Sequence, residues 1–200
     1  ILMMNHLGAL ADGFQGVTFH HINELYSSLN VLHGDILRDD WKNYIHETEH
    51  LYIVGSPKFE GAHTLPPKQK ADMQRIFENE RLYSADYCSS WLVKSAQLIS
   101  GTKAKAAFVL TNSVAQGEQA AYIGEAVSKY NCEYSFCYRP FKWNLSETCV
   151  TVVIIGIQDK IVNQTEEKLI FSEGNPVLQC NEISPLLLPS TFSTAVKKRK

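Results

Sequence analysis

No apolar run in this 200-residue chain is long enough to cross a membrane as a helix. The longest, Val150 to Ile157, is strand-sized and β-branched. The opening Ile1-Leu-Met-Met-Asn-His does not read as a secretory leader, since it lacks the charged and apolar regions of one. Cysteine is sparse: Cys88, Cys132, Cys137, Cys149 and Cys180 are odd in number, irregularly spaced and without a Cys-x-x-Cys. That excludes a disulfide framework and a zinc ribbon, and a reduced cytoplasmic protein with buried thiols is expected. Neither charge sign dominates, with 19 basic against 21 acidic residues and a net charge of −2. A dedicated nucleic-acid binder is usually more basic, so any DNA contact must come from a local patch. Internal repeats and low-complexity blocks are also lacking. What remains, 44% hydrophobic and 20% charged, describes one globular domain burying roughly 70% of its unfolded surface. A first residue other than Met and a last tetrapeptide Lys-Lys-Arg-Lys suggest a piece of a longer polypeptide.

Strand and helix signals alternate, which predicts an α/β layer fold with a mainly parallel sheet. Asn30 to His33 reads as a short strand ending at Gly34-Asp35, after which Asp39 or Asp40 can cap a helix through about His46. Leu51 to Val54 is a second strand. Thr64-Leu-Pro-Pro opens a helix to about Asn79 with Met73, Ile76 and Phe77 facing inward. Ser84 is placed to cap the clearest helix, in which Tyr87, Trp91, Leu92, Ala96 and Ile99 recur at helical spacing before Gly101. Ala106 to Leu110 reads as a buried strand and Glu118 to Tyr130 as a helix. Cys132 to Tyr138 and Cys149 to Ile157 read as adjacent strands. Residues 158–200, with turns at Gly174-Asn-Pro and Ser184-Pro, read as less regular.

Three strands thus run into polar turns: Gly34-Asp35, Gly55-Ser-Pro-Lys-Phe59 and Thr111-Asn-Ser113. Ligands bind at the carboxyl ends of strands in open α/β sheets, so these turns are the candidate site. Taken alone, the second turn is equally an ordinary strand-to-helix connection, and Asp35 an ordinary helix cap.

The second turn, within Ile53-Val-Gly-Ser-Pro-Lys-Phe-Glu-Gly61, resembles the Gly-Asn-Pro-Pro-Phe loop of amino-group DNA methyltransferases. The blocks after it are similar in order and spacing to those of the fused type IIG/IIL restriction–modification enzymes. They are Gln69-Lys-Ala-Asp-Met73, Asp86-Tyr87 with Trp91 and Lys94-Ser-Ala96, Ala107 to Gln119, Phe141-Lys-Trp-Asn144 and Val152-Val-Ile-Ile-Gly156. The resemblance spans roughly residues 30–200 and implies a Rossmann-like class I S-adenosylmethionine-dependent methyltransferase fold. It also implies double-stranded DNA, with the target base flipped out, as the partner. The expected organisation is a remnant of the cofactor half at 1–29 and the catalytic half at 30–157. A peripheral segment at 158–200 would lead towards an absent target-recognition domain.

An exocyclic base amine is a poor nucleophile because its lone pair is delocalised into the ring. The family flips the base out of the duplex, and the loop accepts the amine's two hydrogens, which frees the lone pair for in-line attack on the methyl sulfonium. Carried over, Ser56 and the Pro57 carbonyl are the acceptors and Phe59 is the ring that stacks on the base, worth about 1–3 kcal/mol. Asp35 matches the position that reads the cofactor's adenine amine. Phe141 and Trp143 match the closure over the base, and Asn112 and Gln116 lie in a loop that lines the same cleft. Two positions depart from the family: Ser56 replaces Asn or Asp, and Lys58 replaces the second proline, removing a φ constraint and bringing a cation near the amine. Serine occurs in cytosine-N4 relatives, whereas the other blocks favour adenine N6.

The glycine-rich loop and ribose-binding acid of the cofactor half have no counterpart before residue 30, where Gly13-Phe-Gln-Gly16 is the nearest glycine pair. The fold is therefore expected to be incomplete at its N-terminus, and a non-catalytic DNA- or partner-binding remnant is the alternative. A rival motif, His46-Glu-Thr-Glu-His50, has the metalloprotease spacing, with Glu47 as base and Glu78 or Glu80 as third ligand. It immediately precedes a strand and lacks the apolar stripe of a long helix. It reads as a solvated turn, and no metal is expected; a zinc hydrolase using His46, Glu47 and His50 is the further alternative.

Overall fold

The computed structural model describes residues 34–43, 51–78, 85–145, 148–163 and 167–190. The chain divides into two compact units, residues 1–35 and 36–200. Of the first, only Gly34 and Asp35 are described, both exposed.

In the second unit, strand β1 (Tyr52–Gly55) is followed by helices α1 (Pro67–Phe77) and α2 (Ser89–Ile99), then by strand β2 (Lys105–Thr111) and helix α3 (Gly117–Ser128). Strands β3 (Cys132–Leu145), β4 (Thr148–Asp159), β5 (Lys168–Phe171) and β6 (Leu178–Cys180) complete one six-stranded sheet in the order β1-β2-β4-β3-β5-β6. The sheet is mixed rather than mainly parallel: β1–β2 and β3–β5 are parallel, the other three pairings antiparallel. Only two residues separate β3 from β4, and a parallel crossover needs a dozen or more, so those strands must form a hairpin. The unbroken apolar run of β4 suggested a parallel strand because β4 lies between two neighbours and is buried on both faces.

The three helices share one core with one face of the sheet. Met73, Ile76 and Phe77 of α1 turn inward as their spacing predicted, and Leu92, Val93, Ala96 and Ile99 of α2 are fully buried. They meet Ala106, Phe108 and Leu110 of β2 and Val153, Ile155 and Ile157 of β4. Pro67 starts α1 at its first position, where a missing N–H costs nothing. Arg38 grips the Asp72 carboxylate of α1 through two bonds of 2.9 and 3.2 Å.

Several boundaries differ from the sequence reading. Helix α2 begins at Ser89, not after Ser84, which lies outside the described residues. Asp86 and Tyr87 instead form a turn whose carbonyl at Asp86 accepts the Ser89 amide and hydroxyl. After Asp40, whose carboxylate accepts the Lys42 amide, a single 3-10 turn spans Trp41–Asn43; the rest of that expected helix, and the Asn30–His33 strand, lie outside the described residues. Within 158–200, β5 and β6 extend the sheet, an order that the turn-rich sequence concealed. Cys88, Cys132 and Cys137 are buried, and burial pushes the Cys132 and Cys137 thiols up to about 12. Cys149, expected to be buried, is exposed, and Cys180 is half-buried. Among the described residues no helix is long and apolar enough to cross a membrane.

Candidate functional site

Because β1 and β2 are parallel, with Gly55 opposite Phe108, their carboxyl ends open on the same edge of the sheet. The loop after β1 carries Ser56, exposed; Pro57, buried; Lys58, exposed; and Phe59, half-buried against the core. The Tyr87 amide donates to the Glu60 carbonyl at 2.9 Å and so ties the far end of this loop to the turn before α2. Lys58 Nζ lies 3.0 Å from Glu60 Oε2, drawing the ammonium along the loop. The hydrogen bond from Lys58 is the main reason that the Glu60 carboxyl titrates below its ordinary value of 4.5.

The turn after β2 is a 3-10 segment, Asn112–Ala115. Asp86 organises it: its Oδ2 accepts from the Thr111 hydroxyl at 2.7 Å and from the Ser113 hydroxyl, while Oδ1 lies 3.4 Å from Gln119 Nε2 of α3. Cys88 Sγ approaches the same Thr111 hydroxyl at 3.4 Å. Asn112, between the two anchored hydroxyl residues, has a buried Oδ1 with no hydrogen-bond partner among the described residues. Gln116 is exposed and precedes α3 without capping it through its side chain. Sequence reasoning named Asp86-Tyr87 only as a matching block. Their role was hidden because the helix was expected to start after Ser84, which puts Asp86 and Tyr87 in its first turn rather than in a turn ahead of it.

Cross-strand register places the two aromatics. Thr111 is opposite Val152, which is opposite Phe141, so these three form one row across the sheet. Trp143 pairs with Val150, two residues earlier in the antiparallel β4, and therefore sits past the carboxyl end of β2, on the edge from which the loops leave. Their rings stack at 6.3 Å and 21°, and Phe141 meets Tyr138 edge-on at 4.9 Å. A register shift between Tyr138 and Phe141, at Arg139-Pro140, keeps all three rings on one face. Ser56, Asn112, Phe141 and Trp143 thus belong to one edge.

Asp35 belongs to the first unit. His46, Glu47, His50 and Glu80 lie outside the described residues, and Glu78 is paired with Lys129. Among the described residues no group of three His, Cys, Asp or Glu is arranged to hold a metal ion.

Comparison with known proteins gives three matches. The family model described as MmeI, DNA-methyltransferase domain, matches residues 14–172. DNA methyltransferase A of Bacillus subtilis (strain 168) is 32% identical over 173 residues, covering 82% of this chain and 19% of that protein. The structure of the type IIL restriction-modification enzyme MmeI in complex with DNA matches with a TM-score of 0.67 and 27% identity, covering 78% of this chain and 22% of that one. The chain spans about a fifth of the length of either relative.

Proposed function

This chain belongs to the MmeI DNA-methyltransferase domain family, and from that premise we propose that it moves a methyl group from S-adenosylmethionine to an exocyclic base amine of DNA, adenine N6. The observation that carries the reading is the loop at the shared strand edge: an exposed Ser56 beside a buried Pro57, with stackable aromatics on the same edge. On this reading the target base, flipped from the duplex, presents its amine to Ser56 Oγ and the Pro57 carbonyl. Each accepts one hydrogen. The amine nitrogen loses conjugation with the ring, and its lone pair points at the incoming methyl. Phe59 lies against one face of the base, while Phe141 and Trp143 close the site and exclude water. Asn112 and Gln116 contribute polar groups to the same cleft.

S-adenosylmethionine supplies the methyl group as an electrophile when bound. Of the described residues, Asp35 is the one that the resemblance assigns to the cofactor's adenine, and no described loop provides a glycine-rich turn for its amino-acid end. The described residues do not form the cofactor pocket by themselves; what they supply is the base side of the reaction. Choice of the DNA sequence is assigned to other regions of a longer polypeptide, since the matched segment is about a fifth of either relative.

The test is incubation of the longer polypeptide that carries this chain with duplex DNA and methyl-labelled S-adenosylmethionine, followed by nucleoside analysis. Label in N6-methyladenine is expected, with Ser56→Ala lowering kcat by about tenfold to a hundredfold, since a single positioned hydrogen bond is removed. Label in N4-methylcytosine would correct the target base. A second reading, a remnant that binds DNA without transferring methyl, is favoured by Lys58 in place of proline. Its signature is saturable DNA binding with no label transferred.

A further inference from the structure

Two loops at the β1–β2 edge carry the base-side groups, and one dipeptide touches both. Asp86 is only 7% exposed, and its Oδ2 accepts the hydroxyls of Thr111 and Ser113, one on each side of Asn112. Its own amide donates to Gln119 Oε1 at 3.2 Å, so α3 is held by the same residue. The next amide, Tyr87, donates to the Glu60 carbonyl at the end of the other loop. Gly61 follows that carbonyl, and a Cβ there would lie at ordinary van der Waals distance, 4.0 Å, from Asp86 Oδ1. The Tyr87 ring packs edge-on against Trp91 at 5.2 Å, which fixes the dipeptide on α2.

We propose that Asp86 is a positioning residue of the base site, clamping the Thr111–Ser113 turn to the Ser56–Glu60 loop so that Asn112 and Ser56 are held in one fixed relation. The proposal rests on the base-side reading above and extends it to a residue that does not touch the substrate. A carboxylate suits the task because it is acceptor-only and takes both hydroxyls on one oxygen. An amide that kept its one oxygen on the two hydroxyls would turn its NH2 towards Gln119 Nε2, donor against donor, where Asp86 Oδ1 now lies 3.4 Å away. The buried Oδ1 of Asn112, without a hydrogen-bond partner among the described residues, is what the clamp presents. An acceptor left unmade in an interior is costly, and a donor on the bound base would satisfy it.

Amide hydrogen exchange on the full chain tests the clamp, alongside methyl transfer kinetics on duplex DNA. In Asp86→Asn, exchange at Asn112–Gln116 and at Lys58–Gly61 is expected to quicken by about tenfold or more, with Ala106–Leu110 unchanged, as when a charged hydrogen bond is lost locally. In the same variant kcat falls while KM for DNA stays near wild type, because binding remains and alignment is lost. Thr111→Ser keeps the hydroxyl and keeps wild-type exchange and kcat; Thr111→Val loses both. Loosening confined to Asn112–Gln116, or spread through Ala106–Leu110, overturns the clamp, as does a fall in KM-related affinity without a fall in kcat. If Asp86→Asn does not fold, the Thr111 pair decides: equal behaviour of serine and valine overturns the proposal. A wild-type chain that transfers no methyl sinks the reaction assigned above, and the exchange data then still decide the clamp.

Discussion

Lys58 stands where the resemblance to the Gly-Asn-Pro-Pro-Phe loop expects a second proline, and its neighbour decides what that cation does. With Nζ 3.0 Å from Glu60 Oε2, the ammonium is engaged along the loop, and on the proposed reading this draws the charge off the amine assigned to Ser56 and the Pro57 carbonyl. Both partners reach solvent, so the pair adds little to stability. Its effect is on where the charge sits. Glu60→Gln releases the ammonium, and kcat for methyl transfer is expected to fall, with the loss shrinking as added salt screens the charge. A kcat unaffected at low salt would mean the cation never reaches the amine. The Glu60 carboxyl titrates below its ordinary 4.5, so its stabilising contribution is fully present above that value and is lost as pH falls through the lowered one. Amide exchange at Lys58–Gly61 is therefore expected to be flat at neutral pH and to quicken only under acid conditions. The sequence exposed Ser56, Lys58 and Phe59 as site candidates because they sit in a recognisable loop. It concealed Asp86 and Glu60, whose partners lie 25 and 2 residues away and are brought to them in different ways, by sheet and turn geometry.

At the scale of elements, helices were the most legible and the strands' company the least. The inward faces of α1 and α2 followed from apolar spacing alone, since a helix's buried stripe is a local property. Pairing is not local. The β3–β4 hairpin inserts β4 beside β2, and one residue shows how tightly: a Cβ at Gly156 would come within 2.1 Å of the Phe136 ring across the pair. Gly156→Ala is expected to destabilise the chain by about 1–3 kcal/mol through overpacking. Adding Phe136→Leu should recover most of that loss, and a thermal double-mutant cycle measures it; additive losses would mean that the ring simply swings aside. The same hairpin carries Phe141 and Trp143 to the edge where the β1 and β2 loops leave, so strand pairing assembles the aromatic side of the candidate site.

Across the whole second unit, the helices share a core with one face of the sheet, while the opposite face of β1 is open. Tyr52 and Val54 are 71% and 76% exposed, and with Ala107, Phe136, Leu169 and Phe171 they line a shallow groove of about 450 Å³. Exposed apolar surface on an edge strand invites association. The double substitution Tyr52→Lys, Val54→Lys is expected to raise solubility and lower dye binding to apolar surface without lowering the thermal midpoint; a lowered midpoint would mean these side chains are packed in solution. The sequence by itself determined the strands and helices from β1 to β4 in outline, the inward helix faces and the polar turns after β1 and β2, because residue spacing, proline and glycine act within a few positions. It also determined the family, through blocks that keep their order along the chain. The tertiary structure decided that the sheet is mixed, that the turn of Asn112 and the loop of Ser56 share an edge with Trp143, and that Asp86 bridges the two. Those relations depend on strand register and on contacts between distant residues, which no local pattern encodes.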